Sequence, residues 1–148
     1  MSIEPVARDL AFSAHPYARR LLKAALAAQA RAYAPYSSYR VGCALLGESG
    51  RVYVGCNVEN ASFGATICAE RGAVMSAIAN GERAFRAALT VSPTKICGSC
   101  CGLCRQVLFE FSPDMLIFNA SSLSDWVRVS NLAELLPAGF GPQLPKLG

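Results

Sequence analysis

The placement of three cysteines constrains this chain more than any stretch of its apolar pattern. Cys68 opens the segment Cys68-Ala69-Glu70-Arg71 at the start of a helix predicted over 68–79. Cys101 and Cys104 form a Cys-x-x-Cys at the start of another, predicted over 102–111. Two intervening residues let both sulfurs of a Cys-x-x-Cys reach one ion, and zinc favours thiolate sulfur in tetrahedral sites. If Cys68 serves the same ion, the N-termini of two helices must meet. The positive end of each helix dipole there favours thiolate over thiol. Three thiolates and one Zn²⁺ carry net negative charge, and Arg71 is the neighbouring cation that would offset it. Three protein ligands leave a fourth position for water, the pattern of a catalytic rather than a structural zinc. Glu70, two residues after Cys68, is close enough to take a proton from that water and hand it on.

Each residue alone also has a plainer reading. A Cys-x-x-Cys can be a redox dithiol, and a lone cysteine is commonly a buried apolar residue. Glu70 alone is a solvated carboxylate at a helix start. It is the conjunction that points to metal chemistry. Cys43 and Cys56 fall inside predicted strands and are expected in the core. His15, the only histidine, precedes Pro16 far from the cysteine motifs and is expected at the surface, at the start of a helix.

The chain has 148 residues, 53% of them apolar and 16% charged, which suits one domain over 1–148 with a real core. A net charge of +4 comes from scattered Arg and Lys rather than from a basic run, so nothing calls for nucleic acid. Met1 to Arg20 lacks the pattern of a signal peptide, and the apolar stretch from Leu21 to Ala30 is too short to span a bilayer. Seven cysteines without an export signal point to a reducing, cytoplasmic setting with no disulfide framework. An Ala- and Leu-rich helix is predicted from about Ala14 to Tyr33. Strands follow at Tyr39–Leu46 and Arg51–Val58 around a turn at Glu48-Ser49-Gly50. After the helix at Cys68, a strand is expected at Phe85–Val91. After the helix at Gly102, strands are expected at Met115–Asn119 and Trp126–Val129, then a helical turn at Ala133–Leu136. This order predicts an α/β three-layer sandwich, a mixed sheet of about five strands covered by helices.

From about Ala32 to Pro142 the sequence resembles the cytidine deaminase family. The resemblance is carried by Ala34-Pro35-Tyr36-Ser37-Ser38-Tyr39-Arg40-Val41-Gly42 and by Gly55-Cys56-Asn57-Val58-Glu59-Asn60-Ala61-Ser62. Three further segments add to it: Cys68-Ala69-Glu70-Arg71, Cys101-Gly102-Leu103-Cys104-Arg105-Gln106-Val107, and Glu134-Leu135-Leu136-Pro137 with Phe140-Gly141-Pro142. Zinc deaminases combine three His or Cys ligands, a non-ligand Glu and a Cys-x-x-Cys. The resemblance implies a cytidine deaminase-like fold with Zn²⁺ on Cys68, Cys101 and Cys104, and Glu70 as the proton shuttle. It implies ribose contacts from Asn57 and Glu59, and Tyr39 against the pyrimidine where the family usually has Phe. Phe63 and Phe140 would reach the site of a neighbouring subunit, because family members of this short, three-cysteine type are homotetramers. The implied activity is hydrolysis of cytidine and deoxycytidine to uridine and deoxyuridine with release of ammonia, in pyrimidine salvage. The implied partner is a nucleoside, with neither nucleic acid nor membrane.

One departure stands out. Cys100 occupies the position where the family has Pro before its Cys-x-x-Cys, so Cys97 and Cys100 form a second, competing pair. The Arg105-Gln106-Val107-Leu108 that follows favours Cys101 and Cys104. Two rival functions keep the same cysteines: a deaminase acting on cytosine within RNA or DNA, and a non-catalytic zinc-stabilised scaffold. Asn57 and Glu59 weigh against the first, and an intact Glu70 against the second.

Overall fold

Side-chain alternation along the strands sorts the core into two layers. In the computed structural model, which describes residues 15–125 and 127–142, the first helix is α1 (Ala18–Gln29). The hairpin strands β1 (Gly42–Gly47) and β2 (Val52–Cys56) come next, then a single 3₁₀ turn at Phe63–Ala65. They are followed by α2 (Ala69–Ala79), β3 (Phe85–Ser92), α3 (Gly102–Phe111), β4 (Leu116–Ser121), β5 (Val127–Asn131) and α4 (Leu132–Leu135). The five strands form one sheet in the order β2-β1-β3-β4-β5. The β3–β4 pair is parallel and the other pairs are antiparallel, so the sheet is mixed as expected.

On one face Ala44, Leu46, Leu89 and Phe118 pack against Ala18, Leu21 and Ala25 of α1. The residues between them (Cys43, Leu45, Ala88, Ile117) face the opposite way, onto Ala69, Ala73 and Ala77 of α2 and Leu108 of α3. Period-two alternation with apolar residues at every position of β1 is what a strand covered on both faces requires. The result is the three-layer sandwich, with α1 on one side and α2, α3 and α4 on the other.

Chain direction then decides where the site can lie. Both β2 and β3 run antiparallel to β1, so they run parallel to each other. Each is followed by a helix that crosses back over the same face, α2 after β2 and α3 after β3. Both helices therefore start at the same end of the sheet, beyond the carboxyl ends of the strands, where open α/β sheets bind ligands. Gly55 makes this seating possible. A Cβ placed there would lie 2.3 Å from the Ala69 carbonyl oxygen and 2.3 Å from the Ala73 nitrogen.

Several boundaries differ from expectation. The predicted first helix is shorter at its C-terminal end, because Tyr33 leaves it to pair beside β2. The Tyr33 N–H donates to the Asn57 carbonyl at 3.0 Å, and the Tyr33 carbonyl accepts from the Glu59 N–H at 2.9 Å. Ala14, its expected start, lies outside the described residues, as does Trp126 of the fifth strand. Strand β1 begins at Gly42 rather than Tyr39. The Asn57 side chain, rather than a neighbouring strand, takes up two backbone groups there, accepting from the Val41 N–H at 2.8 Å and donating to the Tyr39 carbonyl at 2.8 Å. Strand β5 extends to Asn131, whose side chain caps α4 by accepting from the Ala133 N–H at 2.9 Å. Cys43 is fully buried as expected, whereas Cys56 is half-buried. His15 is not a simple surface residue, since its ring meets that of Phe118 edge-on at 5.2 Å. Among the described residues no helix is long and apolar enough to cross a membrane.

Candidate metal and active centre

Cys68 is the N-cap of α2 and Cys101 is the N-cap of α3, with Cys104 one turn further into α3. Because both helices start at one end of the sheet, the three thiols converge. The Sγ atoms of Cys68 and Cys101 are 3.9 Å apart, those of Cys101 and Cys104 are 3.4 Å apart, and all three lie within 4.8 Å of one another. A tetrahedral ion with metal–sulfur bonds of about 2.3 Å needs sulfurs roughly 3.8 Å apart, so the spacing of the cluster is of the size zinc requires. None of these three thiols is in a disulfide. Cys97 and Cys100, the competing pair, are both buried and do not join this group.

Electrostatics favour an anionic sulfur at Cys68. A hydrogen bond from the Cys104 thiol, with contributions from Arg71 and Cys101, brings Cys68 down to about 5. The same hydrogen bond, together with burial, pushes Cys104 up as the thiol that keeps its proton for Cys68. Arg71 stands over the pair. Its guanidinium donates to the Thr66 carbonyl at 3.0 Å and approaches Cys68 Sγ at 3.8 Å, which places a fixed cation beside the sulfur anions.

Glu70 points into the same space. It is only 5% exposed although it sits in the first turn of a helix, and its Oε2 lies 3.6 Å from Cys104 Sγ. Burial raises its carboxyl above the ordinary carboxylate range. A cavity of about 210 Å³ opens beside it. Cys68, Cys101, Glu70, Thr90, Tyr39 and Asn57 are among the residues that line it.

Asn57 lines the cavity and Glu59 does not, and both already hold the chain in place. Asn57 fixes residues 39–41, as described above. Glu59 Oε2 accepts from the backbone N–H groups of Tyr36 at 2.9 Å and Ser37 at 3.2 Å, and its Oε1 accepts from the Ser37 hydroxyl. The Ser37 hydroxyl holds the Glu59 carboxyl below its usual range. Phe63 and Phe140 do not line the cavity of their own chain, and they are 74% and 75% exposed.

The sequence reading missed three residues. Thr90 and Asn119 line the cavity from paired positions of β3 and β4. The signal was available: each is a polar residue in the middle of an apolar strand. Arg105 is the third. It donates to the Cys100 carbonyl at 2.9 Å, the Leu135 carbonyl at 2.8 Å and the Ser99 hydroxyl at 2.9 Å, fixing the loop that delivers Cys101.

Comparison with known proteins agrees with this geometry. Residues 16–120 match the model of the cytidine and deoxycytidylate deaminase zinc-binding region. A cytidine deaminase from Sporosarcina psychrophila is 39% identical over 124 residues, covering 84% of this chain and 91% of that protein. The crystal structure of cytidine deaminase from Burkholderia pseudomallei superposes with a TM-score of 0.79 at 45% identity, covering 82% of this chain and 98% of that one. The cytidine deaminase structure from Mycobacterium tuberculosis gives a TM-score of 0.72 at 40% identity, covering 83% and 96%. Three converging thiols, a buried glutamate beside them and relatives alike over most of their length lead to one conclusion: the chain belongs to the zinc-binding cytidine and deoxycytidylate deaminase family.

Proposed function

We propose that the protein hydrolyses the 4-amino group of cytidine and deoxycytidine, giving uridine or deoxyuridine and ammonia. The observation that carries this reading is the buried Glu70 carboxyl facing a three-thiol cluster inside one cavity. Cys68, Cys101 and Cys104 hold zinc, which when bound supplies a Lewis acid that brings a water molecule's pKa down toward neutrality. Glu70 accepts the proton of the attacking water and delivers it to ring N3. It then takes the remaining proton of the hydroxyl added at C4 and gives it to the departing amine. A carboxyl whose proton affinity is raised by burial suits a group that must take up and return protons in one cycle. Arg71 offsets the charge of the sulfurs.

Tyr39 supplies a face for the pyrimidine ring. Asn57 and Glu59 meet the ribose hydroxyls. A carboxylate offers about four lone-pair positions, and Glu59 uses three on Tyr36 and Ser37, so an acceptor remains for a sugar hydroxyl. The exposed rings of Phe63 and Phe140 are assigned to the site of a neighbouring subunit in a homotetramer. The chain acts as one domain over residues 1–148, in the cytoplasm, where a reducing setting keeps the three thiols able to bind metal. Its reaction serves pyrimidine salvage.

The direct test incubates purified, zinc-containing protein with cytidine and follows uridine and ammonia together. Equal amounts of both are expected. A zinc-loaded protein that releases neither contradicts the reading. A cytosine-containing oligonucleotide serves as the rival substrate and is expected to remain unchanged.

A further inference from the structure

Arg105 follows Cys104 in α3, and each of its three guanidinium nitrogens holds a different group. Nε donates to the Cys100 carbonyl at 2.9 Å, Nη2 to the Ser99 hydroxyl at 2.9 Å and Nη1 to the Leu135 carbonyl at 2.8 Å. The first two partners belong to the loop that ends at Cys101. The Cys100 carbonyl is part of the planar peptide that leads into Cys101, so holding it orients the backbone of a metal ligand. Ser99 lines the cavity together with Cys101. The third partner is the last residue of α4, after which the chain continues to Phe140.

That following segment comes back onto α3. The Gln106 side-chain amide donates to the Phe140 carbonyl at 2.6 Å. A Cβ at Gly139 would lie 2.9 Å from the Phe109 ring, and one at Gly141 would lie 3.1 Å from it. The backbone on both sides of Phe140 therefore rests on that ring, while the Phe140 ring itself is 75% exposed. One helix carries Cys101 and Cys104 at its start and the mount of Phe140 further along, and Arg105 reaches both. A guanidinium suits this task because its donors stand on three nitrogens in a rigid fork, whereas a lysine ammonium offers its donors from one atom.

We infer that Arg105 is a positioning residue that ties the metal-ligand loop to the Phe140 segment, so that one side chain sets both the metal site and the ring presented to the next subunit. The part played by Phe140 rests on the deaminase reading of the site.

The test uses zinc-loaded protein and three substitutions. Arg105→Lys keeps the charge and loses the fork. Ser99→Ala, at an exposed position, removes only a loop contact, and Gln106→Leu removes only a contact to the Phe140 segment. Zinc affinity by competition with a chelator, backbone hydrogen exchange over residues 132–142 and KM for cytidine are measured for each. Arg105→Lys is expected to hold zinc about tenfold more weakly, to exchange faster over 132–142 and to raise KM about tenfold. Ser99→Ala is expected to weaken zinc about threefold and leave exchange over 132–142 unchanged. Gln106→Leu is expected to do the reverse, with faster exchange, KM raised about fivefold and zinc affinity unchanged. A merely structural Arg105 lowers the melting temperature and leaves zinc affinity and KM of the folded protein at wild-type values, which overturns the proposal. An Arg105→Lys protein altered at the metal alone, or in the Phe140 segment alone, overturns it too. Should Arg105→Lys fail to fold, the other two variants decide, and Ser99→Ala with unchanged zinc affinity or Gln106→Leu with unchanged exchange overturns it. Wild type that fails to convert cytidine defeats the deaminase reading, while zinc affinity and exchange still judge the tie made by Arg105.

Discussion

At the scale of single residues, position decides chemistry more than identity does. Seven cysteines are present, and only Cys68, Cys101 and Cys104 are brought within 4.8 Å of one another. Cys101→Ala is therefore expected to lose the metal, whereas Cys100→Ala is expected to keep it, as measured by metal analysis of reduced protein. Glu70 carries a stability signature of its own. Burial raises its folded pKa above the ordinary 4.5, so in metal-free protein its contribution to stability is present below that value and lost as pH rises through the folded pKa. Glu70→Gln is thus expected to raise the melting temperature of the chelator-treated protein at neutral pH, with the advantage closing below pH 4.5. A constant difference across pH would show that the carboxyl is not buried in a hostile setting. The clustering of Cys68, Cys101 and Cys104 beside Glu70 was legible in the sequence because their spacing has a chemical meaning. Thr90, Asn119 and Arg105 were not read out, because their roles depend on which strands and loops become neighbours.

At the scale of elements, the site is made by two helix starts held at one end of the sheet. Gly55 permits the seating of α2, since a Cβ there would overlap the backbone of Ala69 and Ala73. Gly55→Ala is expected to destabilise the fold by at least about 1–3 kcal/mol, as overpacking does, and to weaken metal binding with it. Denaturant melts read beside metal titrations check both effects. Gly42 plays the same part for α1, where a Cβ would lie 2.1 Å from the Ala25 carbonyl oxygen. Element order and type followed from apolar periodicity and from the turn at Ser49-Gly50. Boundaries did not, because side chains compete for the backbone there. Tyr33 gives up its place in the helix to pair with Asn57 and Glu59, and the Asn57 amide takes the place of a strand partner for the Val41 N–H and the Tyr39 carbonyl.

At the scale of the whole molecule, the parallel relation of β2 and β3 is what the sequence could not reveal. Nothing in the periodicity says that both helices return over the same face. Once they do, Cys68 and Cys101 meet although they are far apart along the chain. The exposed rings of Phe63 and Phe140 belong to this scale too. Phe140→Ala is expected to leave zinc content unchanged and to raise KM for cytidine about tenfold, and mixing it with a Glu70→Gln chain is expected to restore part of the activity if subunits complete one another's sites. Kinetics of the mixed oligomers check this directly. The most direct measurement for the account as a whole is metal content and uridine formation on the same preparations of wild type and Glu70→Gln. Both proteins are expected to hold zinc, with the variant slower by about 10²- to 10⁴-fold. A zinc-loaded Glu70→Gln protein with undiminished turnover, or a fully active wild type without metal, would contradict it.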